Sequence, residues 1–190
     1  MSSIPNDLSK QALFKQAVFS GDAVQLSQLL ESHSELRSQI NEPLFAFDTP
    51  AIVQAAGKGS RSVIDVLLGA GADINRRSRW WAGSFGVLDS ANPELAAYLI
   101  QKGAIVDVHA AARLQMLDKL RELISTQHDL VHARGGDGKT PLHFAGNVEI
   151  ADYLLAQGAD IDALDIDHES TAAQHLLESH PGVARFLIQR

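Results

Sequence analysis

The stretch Gly-Lys-Thr-Pro-Leu-His-Phe-Ala, residues 138–145, continues as Val-Glu-Ile-Ala-Asp-Tyr-Leu-Leu-Ala-Gln-Gly-Ala-Asp-Ile-Asp, residues 148–162, and decides the fold. Thr140 can cap a helix, and Pro141 stands in its first turn, where a missing N–H costs nothing. Apolar residues then recur at helical spacing, and Gly158 supplies the flexible backbone that ends a second helix. The stretch therefore predicts two short helices joined by a turn.

The hexapeptide at residues 140–145 resembles the ankyrin repeat family, whose signature is Thr-Pro-Leu-His-x-Ala. The tail Gly-Ala-Asp-Ile-Asp, residues 158–162, is similar to the family's Gly-Ala-Asp-Val-Asn. Residues 49–50 repeat the Thr-Pro, and residues 71–75, Gly-Ala-Asp-Ile-Asn, repeat the tail. The resemblance implies an all-α solenoid of helix–turn–helix units that stack side by side, with short loops or hairpins between them.

Spacing along the chain predicts six units. The last apolar residue of each second helix is found at Leu30, Leu68, Ile100, Ile124, Leu155 and Ile188. The intervals between them are 38, 32, 24, 31 and 33 residues, close to the family's repeat of about 33. We assign the units to residues 7–43, 44–76, 77–106, 107–133, 134–166 and 167–190, within a single domain.

The third unit departs most from the repeat pattern. Ala-Gly-Ser-Phe, residues 82–85, stands where Thr-Pro-Leu-His would be, and the loop before it contains Trp80 and Trp81. The interval of 24 residues indicates that the usual projecting hairpin between units three and four is missing. We therefore expect a notch between these two units, beside the tryptophan-bearing loop.

Composition narrows the classes of function. Hydrophobic residues make up 45% of the 190 residues and charged residues 21%, the balance of an ordinary soluble protein. A net charge of -7 argues against nucleic acid as a partner, and the lack of cysteine excludes disulfides and thiolate metal sites. Residues 1–7 lack the features of a signal peptide, and no apolar run reaches the ~18 residues of a membrane span. We expect a cytoplasmic protein without a membrane partner.

No arrangement of residues indicates catalysis. In ankyrin repeats the His of the Thr-Pro-Leu-His turn braces the loop by hydrogen bonds, so the resemblance implies a structural role for His143 and, more weakly, for His109. His128 and His132 are four residues apart but lack a third ligand, so we predict no metal site. Gly-Lys-Thr at residues 138–140 imitates the end of a phosphate-binding loop but belongs to the ankyrin turn. We predict neither catalytic residues nor a cofactor.

Trp80 and Trp81 are the strongest candidates for a functional site. They are the two tryptophans of the chain, they lie in a loop, and they follow arginines at positions 76, 77 and 79 in an acidic protein. Aromatic and arginine side chains are the usual energetic anchors of protein interfaces. The predicted partner-binding residues are Arg77, Arg79, Trp80, Trp81, Phe85, Asp89, Arg113, Asp137 and Lys139. The alternative is that one or both indoles pack back over the missing hairpin.

The usual role of the ankyrin family implies non-catalytic recognition of another protein, through the concave face and the loop tips, with a partner that the sequence does not name. A second hypothesis is a site for a small molecule, a sugar or an acidic metabolite, in the notch near Trp80 and Trp81. Aromatic faces with a few convergent polar groups, here arginines with Asp89 and His109, are typical of such pockets. An enzyme on this scaffold is the weakest interpretation.

Overall fold

The computed structural model describes the backbone of residues 4–190 and the side chains of residues 10–190. The α-helices are α1 (Ile4–Ser20), α2 (Ala23–Ser32), α3 (Ser34–Ser38), α4 (Ala51–Gly57), α5 (Arg61–Gly69), α6 (Pro93–Gln101), α7 (Val108–Arg113), α8 (Leu117–Thr126), α9 (Val148–Ala156), α10 (Ala172–Leu176) and α11 (Pro181–Ile188). Short 3₁₀ turns lie at Ala46–Asp48, His128–His132, Gly136–Gly138 and Pro141–Phe144. Loops connect these helices. Within the described part of the chain, β pairing is limited to two isolated bridges, so the all-α prediction is confirmed.

The chain forms two compact bodies. The first body comprises the chain up to residue 79 together with residues 85–105, and the second comprises residues 80–84 and 106–190. None of the helices described in residues 4–190 is both long and apolar enough to cross a bilayer. The expectation that there is no signal peptide depends on residues 1–7, of which the first three lie outside the described residues.

In the first body, successive helix pairs stack on one another. Helix α1 packs against α2 and α4, while α2 packs against α5. The side chains at these contacts are fully buried, and the largest of them are Phe14, Leu26, Ile52, Ile64 and Leu67. Burying each of them stabilises the fold by roughly 1.5–3 kcal/mol, which a single pair of short helices could not accumulate alone.

The second body repeats this arrangement with different partners. Helix α7 packs against α8 and against the 3₁₀ turn at residues 141–144, and α9 packs against α11. Leu120, Ile124, Leu142, Ile150 and Leu154 are at most 1% exposed and lie in one continuous apolar cluster. Each body therefore has a core formed both within helix pairs and between neighbouring repeats.

Three of the second helices, α2, α6 and α9, begin at a residue whose side chain caps them. The side chains of Asp22, Asn92 and Asn147 each accept a hydrogen bond, at 2.8–2.9 Å, from the backbone N–H three residues later. Asp107 caps α7 in the same way, as its position in the fourth unit predicts. Gly158 follows α9 with a φ of 90°, so the predicted glycine end of this helix is confirmed.

The third unit has one helix where two were predicted. Residues 70–92, all of which are described, contain no helix, and α6 begins only at Pro93. The Thr-Pro cap is replaced by Ala82-Gly83, and Gly83 has a φ of 140°, which no helix accommodates. A tight loop takes its place, in which the Ser78 N–H donates to the Phe85 carbonyl and the Phe85 N–H donates to the Ser78 hydroxyl, each at 2.8 Å.

The first helix of the fifth unit is shorter than predicted and is a single 3₁₀ turn, Pro141–Phe144. Gly146 ends it, because its backbone lies against the preceding repeat. The Gly146 N–H donates to the Ala112 carbonyl at 3.1 Å, and a Cβ at position 146 would lie 2.6 Å from the Arg113 carbonyl oxygen. This close approach requires glycine and leaves no room for another helical turn. The boundaries assigned to the six units stay a prediction.

Leu154→Ala should lower the free energy of unfolding by about 2–5 kcal/mol, because Leu154 is fully buried and its truncation leaves a cavity in the second body. Ile188→Ala is the matched control, since Ile188 is 70% exposed, and it should change stability by less than about 0.5 kcal/mol. Urea denaturation measures both. Leu154→Asp, or Leu67→Asp in the first body, should prevent folding altogether, and an unchanged transition in either would contradict the stacked core.

Candidate functional site

The loop that carries the two tryptophans belongs to the second body. The indole rings of Trp80 and Trp81 contact each other with centroids 5.9 Å apart, and Trp81 is 68% exposed whereas Trp80 is half-buried. A Cβ at Gly83 would lie 1.9 Å from the Gly135 carbonyl oxygen, so this loop rests directly on the loop that precedes residue 140. The Trp81 ring is thus exposed to solvent on a loop whose backbone is in close contact with a second loop.

Four of the predicted binding residues lie in the first body, and two of these pair with each other. The Arg77 guanidinium donates to Asp89 at 3.1 Å, and the Asp89 side chain is only 8% exposed. The same carboxylate oxygen accepts the Gly86 N–H at 2.5 Å. This pair holds the helix-free loop of the third unit in shape, so most of the Asp89 carboxylate is turned away from solvent.

Arg79 and Phe85 are more accessible than this internal pair. The Arg79 side chain is 57% exposed and has the Glu42 carboxylate 3.8 Å from its guanidinium. The half-buried Phe85 ring makes an edge contact with Phe47, with centroids 6.2 Å apart. Phe47 itself is 53% exposed. The sequence analysis did not select Phe47, although its position two residues before Thr49 in the turn could have marked it as a loop tip.

The remaining three predicted residues lie in the second body and are buried or half-buried. Lys139 and Asp137 form an ion pair at 2.9 Å, with side chains only 10% and 13% exposed. The Asp137 carbonyl accepts the N–H groups of Ile166 and Asp167, which joins the loops before and after the fifth unit. Arg113 is half-buried at the end of α7. The nine-residue binding patch and the notch stay predictions.

His143 occupies the bracing position that the resemblance implies. Its Nδ1 accepts the Thr140 N–H at 3.2 Å, so the ring proton is on Nε2, which donates to the Ser170 carbonyl at 3.0 Å. His143 is 1% exposed, and this burial lowers the pKa of its ring below the ordinary value. His109 repeats part of the arrangement, with Nε2 3.0 Å from the Ala133 carbonyl oxygen. Both histidines therefore connect neighbouring loops, and the structural prediction is confirmed.

Asp137, Asp167 and His168 form a group of potential metal ligands that the sequence analysis did not find. One ligand atom from each lies within 4.8 Å of the other two. The ammonium of Lys139, however, already neutralises Asp137 at 2.9 Å, and the His168 ring lies 3.5 Å from Asp165. These contacts account for the charges of the group, so the arrangement supports loop packing and carries no metal assignment.

Comparison with known proteins identifies the class of this fold. Residues 137–166 match the family model described as ankyrin repeat. No curated protein matches the chain. Residues 137–166 are thus an ankyrin repeat, and the fold is of the ankyrin type, as the sequence predicts.

One solved structure resembles the chain over nearly its whole length. It is one chain of a structure described as a predatory endopeptidase from Bdellovibrio bacteriovorus in complex with an immunity protein. The likeness has a TM-score of 0.51 at 19% sequence identity and covers 94% of this chain and 97% of the other. At that identity the likeness shows the fold alone.

His143→Ala should lower the free energy of unfolding by about 1–3 kcal/mol, because it leaves the buried Thr140 N–H without its acceptor. His132→Ala, at an exposed position of the same body, should change it by less than about 0.5 kcal/mol. Chemical denaturation at neutral pH measures both variants.

The same histidine should make stability depend on pH. Because its pKa is lower in the folded state, the unfolded chain binds the proton first as the pH falls. Its contribution is therefore complete above the ordinary histidine pKa of about 6.5 and declines as the pH drops below that value. The wild-type unfolding midpoint should fall over this range more steeply than that of His143→Ala. Parallel profiles would contradict the assignment.

Proposed function

We propose that this protein is a non-catalytic recognition module that binds another protein through its loop tips and the adjoining first helices of its repeats. The observation that carries the proposal is the Trp81 ring, 68% exposed on a loop whose backbone is packed against a second loop. Tryptophan is enriched among the residues that contribute most of the binding energy of interfaces, so an exposed Trp81 ring on a packed loop is typical of an interface anchor.

The comparisons support this class of function. The matched family is the ankyrin repeat, and the solved neighbour is described as a complex of two proteins. A feature of this chain's own structure agrees with a binding role as well. His143 uses both ring nitrogens in contacts to backbone groups, which leaves neither free to act as a base.

We further propose a division of labour among the predicted residues. Trp81 and Arg79 are exposed enough to contact a partner, the half-buried Trp80 ring contacts the Trp81 ring, and half-buried Phe85 can contribute part of its surface. The Arg77–Asp89 and Asp137–Lys139 pairs are mostly buried and hold the loop backbones in place. The half-buried Arg113 is the ninth member of this set.

The charge of the chain limits the kind of partner. A net charge of -7 disfavours nucleic acid and anionic membrane surfaces as partners. We propose a protein partner in the cytoplasm and no cofactor. The alternative is a sugar or acidic metabolite bound near Trp80 and Trp81. Titrating such metabolites while following tryptophan fluorescence separates the two, because the alternative requires a shift in the absence of any protein partner.

Trp81→Ala should weaken binding of the native protein partner by at least about tenfold, because anchor residues contribute about 2 kcal/mol or more. The partner is first obtained by affinity capture from the native host and then titrated as a purified protein. Thermal unfolding should be nearly unchanged, since the indole is largely exposed.

Leu177→Ala is the matched control for this substitution. Leu177 is 58% exposed in the same body and lies outside the predicted patch. It should bind the partner as the wild type does. A partner bound equally well by wild type and Trp81→Ala would refute the role of Trp81 as an anchor.

A further inference from the structure

The residue two positions before the first-helix threonine has the same unusual backbone conformation in three repeats. Gly138, before Thr140, has a φ of 70°. Phe47, before Thr49, and Glu169, before Thr171, have φ values of 58° and 52°. This left-handed region suits glycine, and an aromatic residue there is a true outlier. We call this position the tip residue of its repeat. Of these three repeats, only the fifth unit has a glycine there.

The turn around Phe47 is closed tightly enough to enforce this conformation. The Phe45 N–H donates to the Thr49 carbonyl at 3.1 Å, and the Thr49 hydroxyl donates back to the Ala46 carbonyl at 2.8 Å. The strain of Phe47 is therefore maintained by the surrounding structure. The ring gains little burial in return, since 53% of the residue is exposed.

One aromatic side chain and the backbone of one arginine of the first body lie at the Phe47 turn. The Phe85 ring contacts it edge-on at 6.2 Å. The Arg79 N–H donates to the carbonyl of Asp48 at 3.1 Å, which places Arg79 at the base of the same turn. We call the group of Phe47, Phe85, Arg79 and Glu42 the Phe47 surface. It combines the exposed Phe47 ring and the half-buried Phe85 ring with the exposed Arg79 guanidinium.

Arg79 is the arginine of its cluster that is best placed to meet a partner. The Arg76 guanidinium donates to the Asn41 carbonyl at 3.2 Å, and Arg77 is paired with the buried Asp89. Arg79 is 57% exposed, and its contact to Glu42 is long at 3.8 Å. Exposed ion pairs of this kind are weak, so a carboxylate from a partner can replace Glu42 at little cost.

We infer that the Phe47 surface is a docking site for a protein segment that presents a large apolar side chain next to a carboxylate. The apolar group packs against Phe47 and Phe85, and the carboxylate pairs with the Arg79 guanidinium in a bidentate arrangement. The inference rests on the proposed function in that the partner is a protein. It extends the proposed patch, which already contains Arg79 and Phe85, to Phe47 and gives this part of the first body its own chemistry.

The test uses a phage-displayed library of random dodecapeptides selected on the full chain. Recovered peptides should share an aspartate or glutamate beside a leucine or an aromatic residue. Phe47→Gly should weaken their binding at least tenfold while the thermal unfolding midpoint stays the same or rises, because glycine relieves the left-handed strain. Arg79→Gln should weaken the acidic peptides and leave their variants with asparagine or glutamine unaffected.

Glu169→Gly is the matched control, because it makes the same backbone change at the corresponding tip of the sixth unit. It should bind the peptides as the wild type does. Recovery of no peptides, peptides without the acidic–apolar pairing, or equal binding to wild type and Phe47→Gly would each overturn the inference. None of these outcomes bears on the proposed function, which is tested separately through Trp81 and the native partner.

Discussion

This structure depends on the burial of the apolar face of each helix pair against the apolar face of the neighbouring pair. Apart from α1, the helices are at most ten residues long, and isolated helices below ~12–15 residues are marginal in water. Their stability must come from packing against neighbouring repeats, as α1 does on α4 and α9 on α11. First helices contact first helices, and second helices contact second helices, in the adjacent repeat. The loops that connect them lie outside these contacts, so their sequences can vary without disturbing the core.

The loops are fixed by a second set of contacts that contribute little to the core. The His143 brace and the close glycine contacts join one loop to another, while the Arg77–Asp89 and Lys139–Asp137 pairs each hold a single loop in shape. A Cβ at Gly138 would lie 2.3 Å from the side chain of Ile166, so the loops on either side of the fifth unit are in direct contact. Such contacts let an exposed side chain keep one orientation, which lowers the entropic cost of binding a partner.

The fold was largely predictable from the sequence, because helix pairs leave periodic apolar residues, capping residues and glycine ends in the chain. Thr140, His143 and Gly158 have the roles that this pattern predicts. The missing helix of the third unit was not predicted, since apolar spacing does not reveal how residues 76–92 hydrogen-bond. The surface was harder to predict, because the burial of Asp137 and Lys139 depends on contacts with residues far along the chain. Phe47 was missed since its backbone strain leaves no trace in composition.

The left-handed tip has a consequence for how such proteins acquire new specificities. Backbone hydrogen bonds between neighbouring residues hold the tip residue in place, as the bond from Phe45 to Thr49 does for Phe47. The side chain of the tip residue adds almost nothing to the core. Glycine, glutamate and phenylalanine therefore occupy equivalent tips within one molecule. At Phe47 and Glu169 the side chain is exposed, so replacing it alters the chemistry shown to solvent with little change to the interior, whereas any side chain at position 138 would collide with Ile166. Evolution can thus diversify recognition at these tips one residue at a time.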